Sequence, residues 1–214
     1  MERSDASRLL AVSAWILVIL TAIPFVRGLS ELFAEHWPIE LLGGAVMLVI
    51  AGATVWALTI LRRNAGRLGA ADVAWLVTVC VTFIVWAVRL MPTPQETVHF
   101  VEYGVLAVLL HRALRLRVED AGVFAVGAAI GTLVGTVDEF VQWVVPGRQW
   151  DFRDLLLNGG TSVLVQLALW RLAPAPRPGI RIESIRLLCR LAAAQVILLA
   201  LCFSATPQRV EAIV

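Results

Sequence analysis

The sequence predicts an all-α fold, a polytopic bundle of about seven transmembrane helices, and two observations lead to this prediction. Hydrophobic residues make up 59 % of the 214 residues, and the mean hydropathy is +0.83. Soluble domains contain roughly 45–50 % apolar residues, well below this value. Apolar blocks of about 20 residues recur along the chain, and about 20 residues are what an α-helix needs to cross a bilayer.

Each apolar block is interpreted as one membrane span. The first block lacks a small-residue cleavage site and is followed by further blocks, so it is predicted to be a retained helix and not a signal peptide. Asn158 and a glycine pair interrupt the sixth block, and Arg190 places a charge near the start of the seventh. The predicted spans are 8–26, 41–61, 71–89, 98–116, 121–145, 155–173 and 187–205.

The spans group into three predicted parts. Residues 1–94 hold the first three spans, and residues 95–172 hold a core of three spans with a polar site. Residues 173–214 hold a basic, Pro-rich loop and the last span. Too little chain lies outside the spans to form a separate soluble domain.

The arginines predict that the N-terminus lies inside the cell and the C-terminus outside. All 18 basic residues are arginine, and most of them fall in the N-terminal tail and in alternate loops. Because positive residues accumulate in cytoplasmic loops, these loops are predicted to be cytoplasmic and to lie on anionic lipid. Most of the 16 acidic residues fall on the opposite face, so the outer face is predicted to be net negative.

The fourth predicted span begins with the segment ETVHFVEYG, which places three polar side chains in its first turns. Residues three and four apart share a helical face, so His99 is predicted to lie beside both Glu102 and Tyr103. Taken singly, a histidine at a helix start is more often an interfacial side chain than a ligand.

The fifth predicted span ends with the segment GTVDEFVQWVVPGR. Glycines recur at every fourth position from 127 to 135, which lets a neighbouring helix approach closely, and Glu139 continues this stripe. Gln142 lies within one turn of Asp138 and Glu139. Asp138 lies roughly 10 Å inside the apolar run, where a carboxylate costs at least about 2.5 kcal/mol. We therefore expect it to face the bundle interior and a partner.

The segment PGRQWDFRDLLLNGG links the fifth span to the sixth. Asp151, Asp154 and Asn158 are three and four residues apart, so they share a helical face. The two acids also have a simpler interpretation, as a helix N-cap and a first-turn acid that offsets the helix dipole. Arg148 has a simpler role as an ion-pair partner of Asp151.

The three segments together predict one pocket at the outer membrane interface. Acids at a helix C-terminus oppose the dipole, so capping does not explain Asp138 and Glu139. These carboxylates need either a proton or a cation. The available cations are His99, Arg148 or a divalent metal held by Asp138, Glu139 and Asp154, and the sequence leaves the identity of any cofactor open.

The same segments resemble the VanZ-like family, which is named after a low-level teicoplanin-resistance protein. That family shows an HF-x-x-YG opening, an E-x-x-Q segment followed by P-x-R, and a D-x-x-x-N-x-x-G tail. The resemblance covers about residues 95–172 and implies a multi-pass protein of the bacterial cytoplasmic membrane with a role in the cell envelope. The pattern falls on His99, Phe100, Tyr103, Gly104, Glu139, Gln142, Pro146, Arg148, Asp154 and Asn158, with Thr161 in place of the closing glycine.

The pocket and the resemblance predict a protein that acts on or binds a lipid-linked glycan, a glycolipid or another envelope component, with a link to glycopeptide resistance. If it is an enzyme, it is a membrane-embedded hydrolase or transferase that uses carboxylates for acid–base catalysis. The candidate catalytic residues are Glu139, Asp138, His99 and Asp154. The candidate binding residues are Arg148, Tyr103, Glu102, Gln142, Asn158 and Asp151.

Three alternatives stay open. The first is a non-catalytic protein that binds a lipid, a glycan or a partner of the envelope machinery. The second is a proton-coupled transporter, which ranks lower because the acids lie at one end of the spans only. The third is a polar cluster that merely locks three helices together. Membrane lipids are expected partners in each case, and no nucleic acid is expected.

Overall fold

The computed structural model describes residues 5–21, 69–90, 97–144, 151–173 and 177–204, together with single residues at 41, 44, 48, 52 and 59. Within these ranges the chain is helical and forms no strand, which confirms the predicted all-α class for them. The second predicted span, 41–61, lies outside the described residues apart from those single positions. The helices are α1 (5–21), α2 (Ala70–Leu90), α3 (Thr97–Leu114), α4 (Gly122–Val144), α5 (Phe152–Leu172) and α6 (Ile182–Ser204).

Three of the described helices are long and apolar enough to cross a membrane. These segments are Gly122–Trp143, Phe152–Leu172 and Ile182–Ser204, and α2 contains a shorter apolar stretch, Ala70–Trp86. Large apolar side chains of α6 such as Val196, Ile197 and Phe203 are exposed, as expected for a surface that faces lipid. The chain therefore has the helices of a membrane protein, while the number of seven spans and their direction stay predictions.

Helices α4 and α5 pack tightly against each other because glycines of α4 face polar side chains of α5. A Cβ atom added at Gly135 would lie 2.7 Å from the Cβ atom of Asn158, so only glycine leaves room here. As the residue number rises by four along α4, the number of the facing residue on α5 falls by four, so the two helices are antiparallel. The facing pairs are Gly127 with Gln166, Gly131 with Ser162, and Gly135 with Asn158.

Helix α5 runs continuously through Asn158 and the glycine pair that interrupt the sixth apolar block, as the predicted span 155–173 requires. Gly159 lies against Thr132 of α4, and Gly160 lies against the indole ring of Trp86 in α2. The two glycines therefore give α5 close contacts on two sides instead of ending it.

Helix α3 lies between α1 and the α4–α5 pair. The indole N–H of Trp15 in α1 donates a hydrogen bond of 2.9 Å to the backbone carbonyl of Glu102. Val12 and Ile19 of α1 belong to the same buried cluster as Tyr103. The first turns of α3 are thus covered by α1 on one side and by α4 on the other.

Helix α6 runs in the same direction as α4. Ser184 packs against Gly122 at the start of both helices, and further along Gln195 Nε2 donates a hydrogen bond of 2.6 Å to Thr136 Oγ1. Helix α6 begins at Ile182, earlier than the predicted span, which started at 187. The difference arises because the loop before α4 anchors its first turn.

Asp120 provides this anchor. Its carboxylate accepts hydrogen bonds from the backbone N–H of Gly122 at 2.7 Å, the backbone N–H of Arg181 at 2.9 Å and the Ser184 hydroxyl at 2.8 Å. Burial alone would raise the pKa of the Asp120 carboxyl, but these three hydrogen bonds together hold it below its ordinary value.

Candidate functional site

The first turn of α3 supplies a histidine–carboxylate pair. His99 Nδ1 lies 3.3 Å from Glu102 Oε2, the spacing of three residues predicted to place them side by side. The imidazole ring centre also lies 6.4 Å from the ring centre of Tyr103. The predicted neighbours of His99 on this helical face are confirmed.

Tyr103 connects α3 to the carboxylates of α4. Its hydroxyl donates a hydrogen bond of 3.0 Å to Asp138 Oδ2, and both side chains are shielded from solvent. Asp138 Oδ1 finds no hydrogen-bond partner within the ranges that the structure describes. One oxygen of this buried carboxylate is therefore held by the protein, and the other accepts no hydrogen bond from those ranges.

Glu139 and Gln142 form the next part of the site, one turn apart on α4. Gln142 Nε2 donates a hydrogen bond of 3.2 Å to Glu139 Oε1, and the same side chain also interacts with Asp138. Glu139 is fully buried, and its Oε2 atom has no hydrogen-bond partner among the described residues. The Gln142 amide thus bridges two adjacent carboxylates without saturating either.

The N-terminus of α5 faces this part of α4. Asp151 is the N-cap, and its side chain accepts a hydrogen bond of 2.8 Å from the backbone N–H of Arg153, so the capping interpretation is confirmed. The Asp151 side chain is exposed, whereas its backbone amide interacts with the Glu139 carboxylate. The capped helix end therefore points its positive pole at Glu139.

Asp154 lies one helical turn before Asn158, and Glu139 lies one turn after Gly135. Because Gly135 faces Asn158 and the two helices are antiparallel, Glu139 on α4 faces Asp154 on α5. Asp154 is close enough to Glu139 and to His99 for electrostatic interaction with both. Acidic groups from α4 and α5 and a histidine from α3 thus meet at one end of the bundle.

Asn158 lies at the base of this group. The side chain is fully buried beside Gly135, next to the Tyr103 ring, and neither polar atom of its amide has a hydrogen-bond partner in the described part of the chain. A buried amide without partners costs several kcal/mol in an apolar setting, of order 2–7 kcal/mol. The amide is therefore suited to bind a polar group supplied from elsewhere.

Nine of the ten predicted site residues lie within the described ranges, and the structure brings them to the same end of α3, α4 and α5. The exception is Arg148, which lies outside the described residues. No group of three or more His, Cys, Asp or Glu side chains in the described ranges is arranged to hold a metal ion. The described site is rich in acceptor oxygens, and the imidazole of His99 lies among them.

Sequence reasoning missed polar groups that flank the pocket. Cys202 of α6 is buried and lies close enough to Glu139 to interact electrostatically with it. Thr161, Ser162 and Gln166 of α5 are also buried, although the predicted polar face ended at Asn158. The signal was present, since Asp154, Asn158, Ser162 and Gln166 recur at every fourth position, the period of the glycine stripe on α4.

A family model described as VanZ/LLP1 matches residues 9–173. The match includes the 95–172 segment that carries the motif and extends over the earlier helices. No curated protein and no solved structure matches the chain closely enough to add a relative.

Proposed function

The chain belongs to the VanZ/LLP1 family, and we propose that it is a multi-pass protein of the bacterial cytoplasmic membrane that binds the sugar head group of a lipid-linked glycan or glycolipid. The head group enters a pocket at the outer membrane interface, which we define as His99, Glu102, Tyr103, Asp138, Glu139, Gln142, Asp154 and Asn158. The lipid tail stays in the bilayer beside the apolar faces of the helices.

One observation carries this proposal. The pocket combines buried polar groups from three helices with acceptor atoms that the described protein leaves without hydrogen-bond partners: Asp138 Oδ1, Glu139 Oε2 and Asn158 Oδ1. Buried polar groups are almost always hydrogen-bonded, so these atoms favour a ligand that presents donors. Sugar hydroxyl groups are donors, and carboxylate and amide oxygens accept from them.

The charge of the pocket argues against a bare polyphosphate as the ligand. Glu102, Asp138, Glu139 and Asp154 surround the single imidazole of His99 in the described structure. Like charges repel strongly in a low-dielectric site, so an anionic group would need a bridging divalent cation. A neutral, hydroxyl-rich ligand has no such requirement.

Catalysis is the second candidate function, favoured by the facing of Glu139 and Asp154. Two carboxylates on opposite sides of a ligand, in unequal environments, suit a general acid and a general base in glycosyl transfer or hydrolysis. Glu139 is fully buried, whereas Asp154 is half-buried at the helix end. In that case the protein is a membrane-embedded hydrolase or transferase.

The first experiment compares the lipids and glycolipids of wild-type and deletion membranes, and those retained by the purified protein in native nanodiscs. We expect wild type to retain a glycolipid that Glu139→Gln and Asp154→Asn lose. Asp72→Asn is the matched control, because Asp72 forms an exposed ion pair with Arg171 away from the pocket. Equal retention by all four proteins, together with a wild-type glycolipid profile in deletion cells that express each variant, would overturn the proposal.

The same variants separate binding from catalysis. If Glu139→Gln keeps the retained glycolipid but deletion cells that express it still show the altered glycolipid profile, the site performs chemistry. If Glu139→Gln no longer retains the glycolipid and the deletion cells that express it also show the altered glycolipid profile, the protein is a binding protein. Teicoplanin susceptibility of the same strains tests the envelope role that the family name implies, and a role in resistance requires that Glu139→Gln behaves like the deletion.

A further inference from the structure

A second set of buried polar side chains continues from the pocket along α5, one for each turn. Asn158, Ser162 and Gln166 are four residues apart, about 6 Å per step along the helix axis. Thr161 lies on the same turn as Ser162, and all four side chains are at most 2 % exposed. Because Asn158, Ser162 and Gln166 each face a glycine of α4, this polar column lies inside the bundle and not against lipid.

Most polar atoms of the column have no hydrogen-bond partner among the residues that the structure describes. Ser162 Oγ, Thr161 Oγ1, Gln166 Oε1 and both amide atoms of Asn158 make no hydrogen bond within the part of the chain that the structure describes. The exception is Gln166 Nε2, which donates a hydrogen bond of 2.8 Å to the backbone carbonyl of Ala107. Groups of this kind in a membrane interior are costly when unsatisfied, and ordered water satisfies them in two to four hydrogen bonds each.

His111 of α3 lies at the far end of the column. It is buried, its ring stacks on Phe124 with 5.0 Å between ring centres, and neither ring nitrogen has a hydrogen-bond partner among the described residues. His111 lies one turn beyond Ala107, about 6 Å from the level of Gln166. The adjacent Arg112 is exposed, so this end of the column lies next to solvent or lipid head groups.

We propose that α3, α4 and α5 enclose a hydrated proton path that joins His111 at one end of the bundle to Glu139 at the other. A single water that bridges two groups with hydrogen bonds of about 2.8 Å at its tetrahedral angle spans about 4.6 Å, so the ends of neighbouring side chains must lean towards each other to close the step of about 6 Å. A proton that binds the His111 imidazole passes along the waters held by Gln166, Ser162 and Asn158. It leaves from a pocket carboxylate, and every transfer breaks one O–H or N–H bond and forms another.

The groups at both ends suit this role. Arg115 lies one helical turn after His111 on α3, so a second positive charge is placed beside any proton that the imidazole carries. At the other end Glu139 lies near His99, Asp138 and Asp154, three further groups that can bind a proton. The path needs no glycan ligand, so it is an activity separate from head-group binding.

The experiment uses the purified full chain in liposomes that contain a trapped pH-sensitive dye. A potassium gradient with valinomycin sets a membrane potential, and potassium movement balances the charge of the protons that cross. The initial rate of the internal pH change is measured. We expect the wild-type rate to exceed that of protein-free liposomes, and Ser162→Ala and Asn158→Leu to reduce it to the protein-free rate. Thr78→Val is the matched control, because its hydroxyl bonds its own helix backbone on α2.

Ser162→Ala decides the outcome if Asn158→Leu fails to fold, because it removes one oxygen atom and adds no bulk. A wild-type rate equal to that of protein-free liposomes would overturn the proposal, and so would a Ser162→Ala rate equal to that of wild type. Glycolipid retention by Ser162→Ala is measured in parallel and should equal that of wild type. Failure of the proton path is therefore distinguishable from failure of head-group binding.

Discussion

The hydroxyl of Tyr103 donates a hydrogen bond of 3.0 Å to Oδ2 of Asp138, and this contact joins α3 to α4 where neither side chain reaches solvent. Tyr103→Phe removes the donor and keeps the ring. Because a buried carboxylate oxygen then loses its partner, we expect the free energy of unfolding to fall by about 1–3 kcal/mol. The measurement is thermal or denaturant unfolding of the detergent-solubilised protein.

A double-mutant cycle isolates this contact from other effects of the substitution. In an Asp138→Leu background the partner is already absent, so Tyr103→Phe should change stability much less than it does in wild type. Thr21→Val serves as the control, since the exposed Thr21 hydroxyl bonds backbone carbonyls of its own helix. An equal effect of Tyr103→Phe in both backgrounds would contradict the contact.

The close approach of α4 and α5 gives a second prediction. A Cβ atom at Gly131 would lie 2.7 Å from the Cβ atom of Ser162, so Gly131→Ala overfills the interface and should destabilise the protein by about 1–3 kcal/mol. Gly104→Ala is the matched control, because no atom of the described residues lies within 4 Å of the added methyl group. There alanine should be neutral or stabilising by up to about 1 kcal/mol. If Gly131→Ala proved as stable as Gly104→Ala, the helix register would be wrong.

Asp120 gives a prediction about pH. Its folded-state pKa lies below the ordinary value because of its hydrogen bonds, so the ionised carboxylate stabilises the fold at neutral pH. This contribution is lost as the pH falls through the folded-state pKa. We therefore expect wild type to melt well above Asp120→Asn at pH 7 and the difference to shrink below about pH 4, near the ordinary pKa of an aspartate.

Glu119→Gln is the control for Asp120→Asn. Glu119 is adjacent in sequence but exposed, and its ion pair with Arg177 has a distance of 2.6 Å. Exposed ion pairs contribute about 0–1 kcal/mol, so this variant should melt close to wild type at both pH values. A melting difference for Asp120→Asn that grows towards low pH would show that the Asp120 carboxylate does not anchor α6.

Much of this architecture follows from the sequence. The lengths of the apolar blocks predicted most ends of the described helices to within a few residues. This works because a helix that crosses a bilayer needs about 20 apolar residues, so the apolar block and the helix have nearly the same bounds. The period of three and four residues predicted the His99–Glu102 pair, which is a contact within one helix. The glycine stripe predicted that another helix packs closely there.

Contacts between helices were harder to predict. The stripe does not specify that Ser162 faces Gly131, because the register depends on the length and shape of the turn between α4 and α5. The early start of α6 depends on Asp120, a residue 61 positions before the Arg181 amide that it binds. Such long-range hydrogen bonds have no periodic signal in a single sequence. The approach of Cys202 on α6 to Glu139 on α4 is another such long-range contact.

The most direct test of the account is whether the pocket opens to the outside of the cell. Asp154→Cys is placed in a protein whose native cysteines, Cys80, Cys189 and Cys202, are changed to alanine, and intact cells are treated with a membrane-impermeant maleimide. We predict that Asp154→Cys reacts in intact cells, whereas Arg115→Cys in the same background reacts only after the membrane is permeabilised. Reaction of Asp154→Cys only after permeabilisation, with Arg115→Cys labelled from outside, would contradict an outward-facing pocket.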